Sequence, residues 1–184
     1  MKSLNYDKIV VIDVECTCDD VDSTFKDRAE IIEIGAIVAD LHSGEIVRRD
    51  SIIVTPERTP ITPFCTRLTT IDQKMIDDRG ISWREAVTQM IDLGYTAHPW
   101  LSWGDYDKNM IQRMIRQHGT NSPVSHRHIN ARVAFTIKHQ LKREPGLITA
   151  LKHLGLSFTG THHRGIDDAV NIWTLAKTVF APPA

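Results

Sequence analysis

The sequence predicts an α/β fold in which helices flank a mixed five-stranded sheet. Three strand-like segments joined by short turns come first, and helical and strand-like segments alternate after them. Strands joined by tight turns pair antiparallel, whereas strands separated by helices run parallel. We therefore expect three antiparallel strands followed by parallel ones, all within one domain that covers residues 1–184.

Composition limits the kind of protein. The chain carries 22 Lys and Arg against 23 Asp and Glu, so nucleic acid would have to bind at a local basic patch. No apolar run reaches the length of a membrane span or a signal peptide, and we expect a cytoplasmic protein without a membrane partner. The odd number of cysteines predicts reduced thiols at Cys16, Cys18 and Cys65.

The first strand ends in two carboxylates. β-branched residues from Ile9 to Ile12 are typical of a strand buried on both faces. Asp13 and Glu15 follow two positions apart, so both side chains point to the same side of the sheet. Two buried anions need a cation or hydrogen-bond donors nearby. A divalent metal is one explanation, and a pair of solvated turn residues is the other.

Turn residues and periodicity place the remaining elements. Residues 30–40 and 45–54 form the second and third strands around a turn at 42–44, and the segment 55–70 is a loop with one short helix. The later elements are a helix from the Ser82 capping box to Gly94, a strand at 98–103, a helix at 105–117, a short strand and a helix within 124–140, a helix from Leu147 to Gly155, and a helix from Gly165 to Phe180.

Helical phase identifies further acids that face the core. At about 100° per residue, Asp107 shares one stripe with Met110 and Met114, so it heads the buried face of its helix. Asp105 lies off that stripe, and we expect its side chain to cap the helix.

The final helix begins with two adjacent acids of different phase. Asp167 shares its phase with Asn171, which predicts the solvent face, whereas Asp168 shares its phase with Ile172 and points inward. Each acid taken alone has an alternative explanation, because carboxylates in a first helical turn are stabilised by the helix dipole.

Together, three segments resemble the motifs of the DEDDh 3′ to 5′ exonucleases, a family on the ribonuclease H-like fold. Asp13–Thr17 resembles the first motif, Tyr106–Asp107 with Met110 and Ile111 behind it resembles the second, and His163–Asp168 resembles the third, in the family's order and across almost the whole chain. Trp103–Asp107 and Phe64–Ile71 also resemble the branch that trims histone-mRNA ends and small interfering RNAs, with its bacterial relatives. One departure is Thr70, where that branch commonly has glycine.

The resemblance implies a two-metal nuclease. Four acids would hold two Mg²⁺ or Mn²⁺ ions, which prefer oxygen ligands. His163 would take the proton from the attacking water. The family's spacing selects His163 over the adjacent His162, a choice that the residues alone leave open. The four acids are Asp13, Glu15, Asp107 and Asp168.

The resemblance also implies substrate contacts. Thr17 and the backbone at Cys16 would meet the terminal 3′ nucleotide. Leu68 would pack against its base, with an ordinary core leucine as the alternative. Candidates for phosphate contacts are Arg67, Arg164 and Lys108.

The predicted function is metal-dependent hydrolysis of phosphodiester bonds at the 3′ end of single-stranded nucleic acid, RNA before DNA, with release of nucleoside 5′-monophosphates. One alternative is a DNA-preferring exonuclease of the proofreading kind. Another is a nucleic-acid-binding module that kept the fold and lost catalysis, against which the complete set of five catalytic residues argues. The sequence leaves the oligomeric state open.

Overall fold

A computed structural model describes residues 5–180 and places five strands in one mixed sheet of order β3-β2-β1-β4-β5. β1 pairs antiparallel with β2, and β2 with β3, whereas β4 runs parallel to β1 and to β5. The predicted α/β fold with three antiparallel strands followed by parallel ones is confirmed. The strands are β1 Lys8–Cys16, β2 Ile31–Asp40, β3 Ile46–Ile53, β4 Trp100–Ser102 and β5 His128–Asn130.

Seven α-helices surround the sheet within residues 5–180. They are α1 Pro63–Thr69, α2 Gln73–Arg79, α3 Trp83–Asp92, α4 Tyr106–His118, α5 Ala131–Lys138, α6 Leu147–His153 and α7 Gly165–Phe180, with short 3₁₀ turns at Phe25–Asp27 and Tyr95–Ala97. The sequence did not predict α2, because its seven residues bury only Ile76 and leave no periodic stripe. None of the described helices is long and apolar enough to cross a membrane.

Different helices cover the two faces of the sheet, because successive residues of β1 point to opposite sides. Val10 and Ile12 belong to one apolar cluster with α3 and α4, whereas Ile9 and Val11 belong to another with α5, α6 and α7. Asp13 and Glu15 continue the odd-numbered series. The strand period therefore directs both carboxylates toward the side on which α7 lies.

α7 begins directly on the backbone of the sheet. A Cβ atom placed on Gly35 of β2 would lie 1.8 Å from the carbonyl carbon of Gly165, and one placed on Gly165 would lie 2.9 Å from the carbonyl oxygen of Asp13. Only glycine, which has no Cβ, permits this approach at either position. The distance from the start of α7 to β1 is therefore set by backbone contact.

Asp105 does not cap α4 through its side chain, so that prediction is wrong. Its carbonyl oxygen accepts the first helical hydrogen bond from Asn109, but its carboxylate accepts none from the backbone of the helix. The carboxylate instead accepts a hydrogen bond from Asn130 Nδ2 at 2.9 Å and lies 3.7 Å from His128 Nδ1. These competing partners come from β5, distant in sequence.

Thr70 ends α1 in the left-handed region, with φ +62°. Its N–H donates to the carbonyl oxygen of Thr66, as in a common helix C-cap. This is the position at which the branch that the sequence resembles commonly has glycine. A β-branched residue here is strained, because its Cβ approaches the backbone in this conformation.

Thr70→Gly should therefore raise the free energy of unfolding. Relief of the left-handed strain is worth about 1–2 kcal/mol, and the greater freedom of glycine in the unfolded chain offsets about 0.5–1 kcal/mol of that gain. Urea unfolding measures the difference. Thr70→Ala is the matched control, because it removes the same side-chain atoms beyond Cβ but keeps the strain. An equal gain in both variants would contradict the explanation.

Candidate active site

Three carboxylates meet at the end of β1. Asp13 and Glu15 of β1 and Asp168 of α7 place potential ligand oxygens within 4.8 Å of one another. Glu15 and Asp168 are only 8% and 4% exposed, so water screens their charges poorly. The alternation of β1 and the phase of α7 bring these side chains to one place.

Asp107 lies in the same groove, where it also holds the backbone of β1. Its Oδ1 accepts a hydrogen bond from the N–H of Val14 at 2.9 Å, between the two acids of the strand. Asp107 is buried, as its helical phase predicted. The groove has a volume of about 290 Å³, and its lining includes the four acids, His162, His163, Trp103, Tyr106 and Leu147.

Burial raises the pKa of all four acids. The pKa of Glu15 rises to about 9 and that of Asp168 to about 7, mainly because burial disfavours the charged carboxylate, and neighbouring carboxylates add to both shifts. Burial also raises the pKa of Asp13, again helped by the other acids. Burial raises the pKa of Asp107 only to about 6, because hydrogen bonds such as the one from Val14 stabilise the charged carboxylate and oppose the effect of burial.

Two adjacent histidines reach the groove. His163 Nδ1 lies 4.0 Å from Glu15 Oε1, and His162 Nε2 lies 3.6 Å from Asp168 Oδ1. Only His163 has a left-handed backbone, with φ +62°, and its N–H donates to Asp168 Oδ2 at 2.8 Å. Burial, together with the neighbouring His162, lowers the pKa of His163. This shift favours the neutral imidazole, the form that can accept a proton.

The face of α7 that begins with Asp167 is covered at Asn171 and exposed at Thr178, so the predicted solvent face is wrong for its first turns. Asn171 is only 2% exposed, and its amide group exchanges hydrogen bonds with the N–H and carbonyl of Thr159 at 3.0 and 2.8 Å. Asp167 accepts a hydrogen bond from the N–H of Thr161 at 2.8 Å. The loop before α7 folds back over this face, which helical periodicity cannot report.

Thr17 does not present its side chain to the groove. It is 1% exposed, and its hydroxyl contacts Thr59 Oγ1 at 2.8 Å and accepts a hydrogen bond from the N–H of Glu30 at 2.9 Å. Cys16 is buried as well. Any contact of a nucleotide with this segment would therefore involve the backbone after Glu15.

The other predicted substrate residues have different surroundings. On α1, Arg67 is exposed, with Nη2 3.6 Å from Asp20 Oδ2, and Leu68 is half-buried, so Leu68 is not a fully buried core residue. Arg164 pairs with the fully buried Glu33, from Nε to Oε2 at 3.0 Å. Its guanidinium group is therefore already engaged within the protein.

Sequence reasoning missed several residues at the site. Trp103, Tyr106 and Leu147 line the groove, and none of them was among the predicted site residues. Trp103 and Tyr106 lie in a segment that resembles the family, and Leu147 begins a predicted helix. Glu33 was also missed, because it lies in an apolar strand pattern and its hydrogen-bond partners Ser51, Arg164 and Gly165 are 18, 131 and 132 residues away.

A family model described as "Exonuclease" matches residues 10–176 of the chain. ERI1 exoribonuclease 2 of Xenopus laevis is 28% identical over 201 residues, which cover 95% of this chain and 28% of the relative. The 3′-5′ exonuclease Snipper of Drosophila melanogaster is 28% identical over 195 residues, which cover 92% of this chain and 68% of the relative. The chain thus spans less than a third of the first relative and about two thirds of the second.

Solved structures show the same fold. The nuclease domain of 3′hExo, described as a DEDDh family member bound to rAMP, superposes with a TM-score of 0.85 and 26% identity over 96% of this chain and 93% of that chain. E. coli Exonuclease I in complex with a dA16 oligonucleotide gives a TM-score of 0.72 at 14% identity, over 94% and 40%, a likeness of fold alone. The predicted ribonuclease H-like fold is confirmed. Since the family match extends from β1 into α7 and so includes all three motifs, the chain belongs to the exonuclease family, within its DEDDh group.

Proposed function

We propose that this chain is a 3′-5′ exonuclease that hydrolyses phosphodiester bonds at the 3′ end of single-stranded nucleic acid, preferably RNA. The observation that carries the proposal is the convergence of Asp13, Glu15 and Asp168 beside His163 in one groove. The products would be nucleoside 5′-monophosphates. We also propose that residues 1–184 act as one catalytic domain in the cytoplasm.

The donor set fits divalent cations. Close carboxylate oxygens are the ligands that Mg²⁺ and Mn²⁺ prefer. Within residues 5–180, no Lys or Arg forms an ion pair with the four acids, and their only ion-pair partners are the two histidines. Within this part of the chain, no Lys or Arg is therefore paired directly with these carboxylates to offset their mutual repulsion. Two bound cations would supply stabilisation of the charge on the attacking and leaving oxygens.

The protein's own groups have separate tasks in this proposal. Asp13, Glu15, Asp107 and Asp168 would hold the cations. His163 would accept the proton of the attacking water, a role that suits an imidazole kept neutral by its surroundings. The hydrogen bond from the N–H of His163 to Asp168 would hold the base at a fixed position relative to the acid cluster.

The relatives support RNA as the substrate. Several are named exoribonucleases, and the 3′hExo nuclease domain was solved with rAMP, a ribonucleotide. The Exonuclease I structures with DNA oligonucleotides share only the fold, at 13% and 14% identity. They therefore give the DNA-preferring alternative less support than the exoribonucleases give to RNA.

A local excess of cations supports a polyanionic substrate. Residues 108–143 contain no Asp or Glu, although the whole chain is nearly neutral. This segment forms most of α4, then β5 and α5, and β5 is the edge strand of the sheet. Clustered cations attract phosphates, with an affinity that falls as salt rises. The cations are Lys108, Arg113, Arg116, Arg127, Arg132, Lys138, Lys142 and Arg143. Of these, Arg113 donates to the carbonyls of Lys26 and Ala29, and Arg132 pairs with Glu144.

End-labelled RNA and DNA of one sequence test the proposed function. With Mg²⁺ or Mn²⁺, the RNA should shorten stepwise from its 3′ end, faster than the DNA, and chelation should stop the reaction. Asp13→Asn and Asp168→Asn should each lower the rate by at least about 10²-fold, because each removes a charged ligand. Faster DNA shortening would favour the proofreading-type alternative. Binding of RNA without any shortening would favour the silent module.

His163→Ala should lower turnover by about 10²- to 10⁴-fold, the usual contribution of a general base. Its Mn²⁺ affinity, measured by calorimetry, should stay close to wild type, because all four acids remain. His162→Ala is the matched comparison and should cost much less turnover. The reverse order of the two effects would assign the base to His162.

The thermal midpoint of the metal-free protein should fall as pH rises from 4.5 toward 9. Folding raises the pKa of Glu15 from 4.5 to about 9 and that of Asp168 from 3.8 to about 7. The folded state therefore binds more protons than the unfolded chain in this window, so its stability declines as pH rises. Scanning calorimetry measures the midpoint.

Asp168→Asn is the control for this pH dependence. The variant should flatten the decline and be the more stable protein at pH 8, although inactive. The difference between the midpoints of the two proteins separates the effect of the acids from that of His163. Because the pKa of His163 is lowered, its contribution makes stability rise with pH below pH 6.5, opposite to the contribution of the acids. Mg²⁺ should stabilise the wild type most at the alkaline end. A wild-type midpoint that does not fall relative to Asp168→Asn contradicts the explanation.

A further inference from the structure

Glu33 lies beneath the third motif and belongs to neither the acid cluster nor the groove. It is fully buried on β2, directly opposite Glu15 in the strand register. Its Oε1 accepts hydrogen bonds from Ser51 Oγ at 2.6 Å and from Arg164 Nη2 at 3.2 Å. Its Oε2 accepts hydrogen bonds from Arg164 Nε and from the N–H of Gly165, both at 3.0 Å.

These four hydrogen bonds occupy the Glu33 carboxylate. An ionised carboxylate offers about four acceptor positions, and all are used here. Glu33 is therefore not a further metal ligand, although its charge is close enough to Glu15 to raise the pKa of that acid. The fork of Arg164 matches the carboxylate with two parallel donors, a geometry that fixes direction as well as distance.

Three of the four hydrogen bonds to Glu33 come from the chain between His163 and Asp168. Arg164 and Gly165 separate His163 from Asp168, so Glu33 fixes the chain between the proposed base and an acid of the cluster. His163 itself has a left-handed backbone. Such a conformation persists only where the surrounding contacts determine it.

We propose that Glu33 and Arg164 form a latch that positions His163 for proton transfer, so that both are positioning residues of the reaction. This inference rests on the proposed function. The latch joins β2 to the first residues of α7, at the place where Gly35 and Gly165 are in backbone contact. When the latch is broken, the chain between His163 and Asp168 loses this restraint. The His163 imidazole then moves relative to the acid cluster, although all four acids are still present.

Arg164→Lys tests the latch with the least disturbance. Lysine keeps the positive charge beside Glu33 but replaces the two-pronged fork with a single point donor. We expect turnover on end-labelled RNA to fall by about 10- to 100-fold with KM nearly unchanged, since displacement of a catalytic group by about 1 Å has effects of this order. Ser51→Ala, which removes one hydrogen bond to Glu33, should lower turnover less. Arg28→Gln breaks an exposed pair with Asp22 and is the control, with turnover as in wild type.

A double variant separates positioning from general loss of structure. In a His163→Ala background, Arg164→Lys should lower turnover by less than about twofold, because coupled groups that act as one unit are not additive. If the double variant instead shows the product of the two single losses in turnover, Arg164 does not act through His163, and the proposal is overturned. A raised KM with turnover unchanged would also overturn it, since Arg164 would then be a phosphate contact.

Hydrogen exchange gives a readout that does not depend on activity. In Arg164→Lys, the amides of residues 161–168 should exchange faster than in wild type, whereas those of β1 should not. Unchanged exchange in residues 161–168 would overturn the latch even in an active enzyme. A wild-type protein that leaves RNA intact, yet shows faster exchange in the variant, would refute the proposed function and retain the structural latch.

Discussion

Four carboxylates held close together at the end of β1 are the constraint on which the rest of the structure depends. Their charges repel one another in a place that water reaches poorly, so the arrangement is unfavourable by itself. It persists because backbone contacts hold each contributing element. The N–H of Val14 binds Asp107, the N–H of His163 binds Asp168, and Gly165 rests on Gly35. The apolar clusters on both faces of the sheet provide the stability that this arrangement lacks.

Most of the confirmed predictions about the fold, and the predictions about the positions of the acids, rest on short-range periodicity in the sequence. The alternation of β1 placed Asp13 and Glu15 on one side, and the phases of α4 and α7 turned Asp107 and Asp168 inward. Each of these inferences needs only a few consecutive residues. Both the element order and the mixed sheet could be predicted for the same reason, because turns, caps and strand composition are local signals.

The failures share a different physical cause. Asp105 satisfies its carboxylate with Asn130, and Asn171 is covered by the loop at Thr159, so in both cases a competing partner arrives through the fold. Glu33 is the extreme case, because its environment is made entirely by residues from β3 and from the start of α7. Side-chain identity alone could not distinguish His162 from His163. The difference between them is a backbone angle that the surrounding contacts determine.

Backbone contact between Gly35 of β2 and Gly165 fixes the distance between the sheet and the start of α7. It therefore also fixes the spacing between the acids of β1 and Asp168. The residues proposed to grip the substrate, Arg67 and Leu68, stand on α1, which joins β2 and β3 through a separate small cluster around Cys65 and Ile71. α1 also reaches β1 directly, since Cys65 Sγ lies 3.7 Å from the carbonyl oxygen of Cys16, the residue after Glu15. Under the proposed substrate contacts, a change in α1 would therefore affect both the contacts to the 3′ nucleotide and the end of β1.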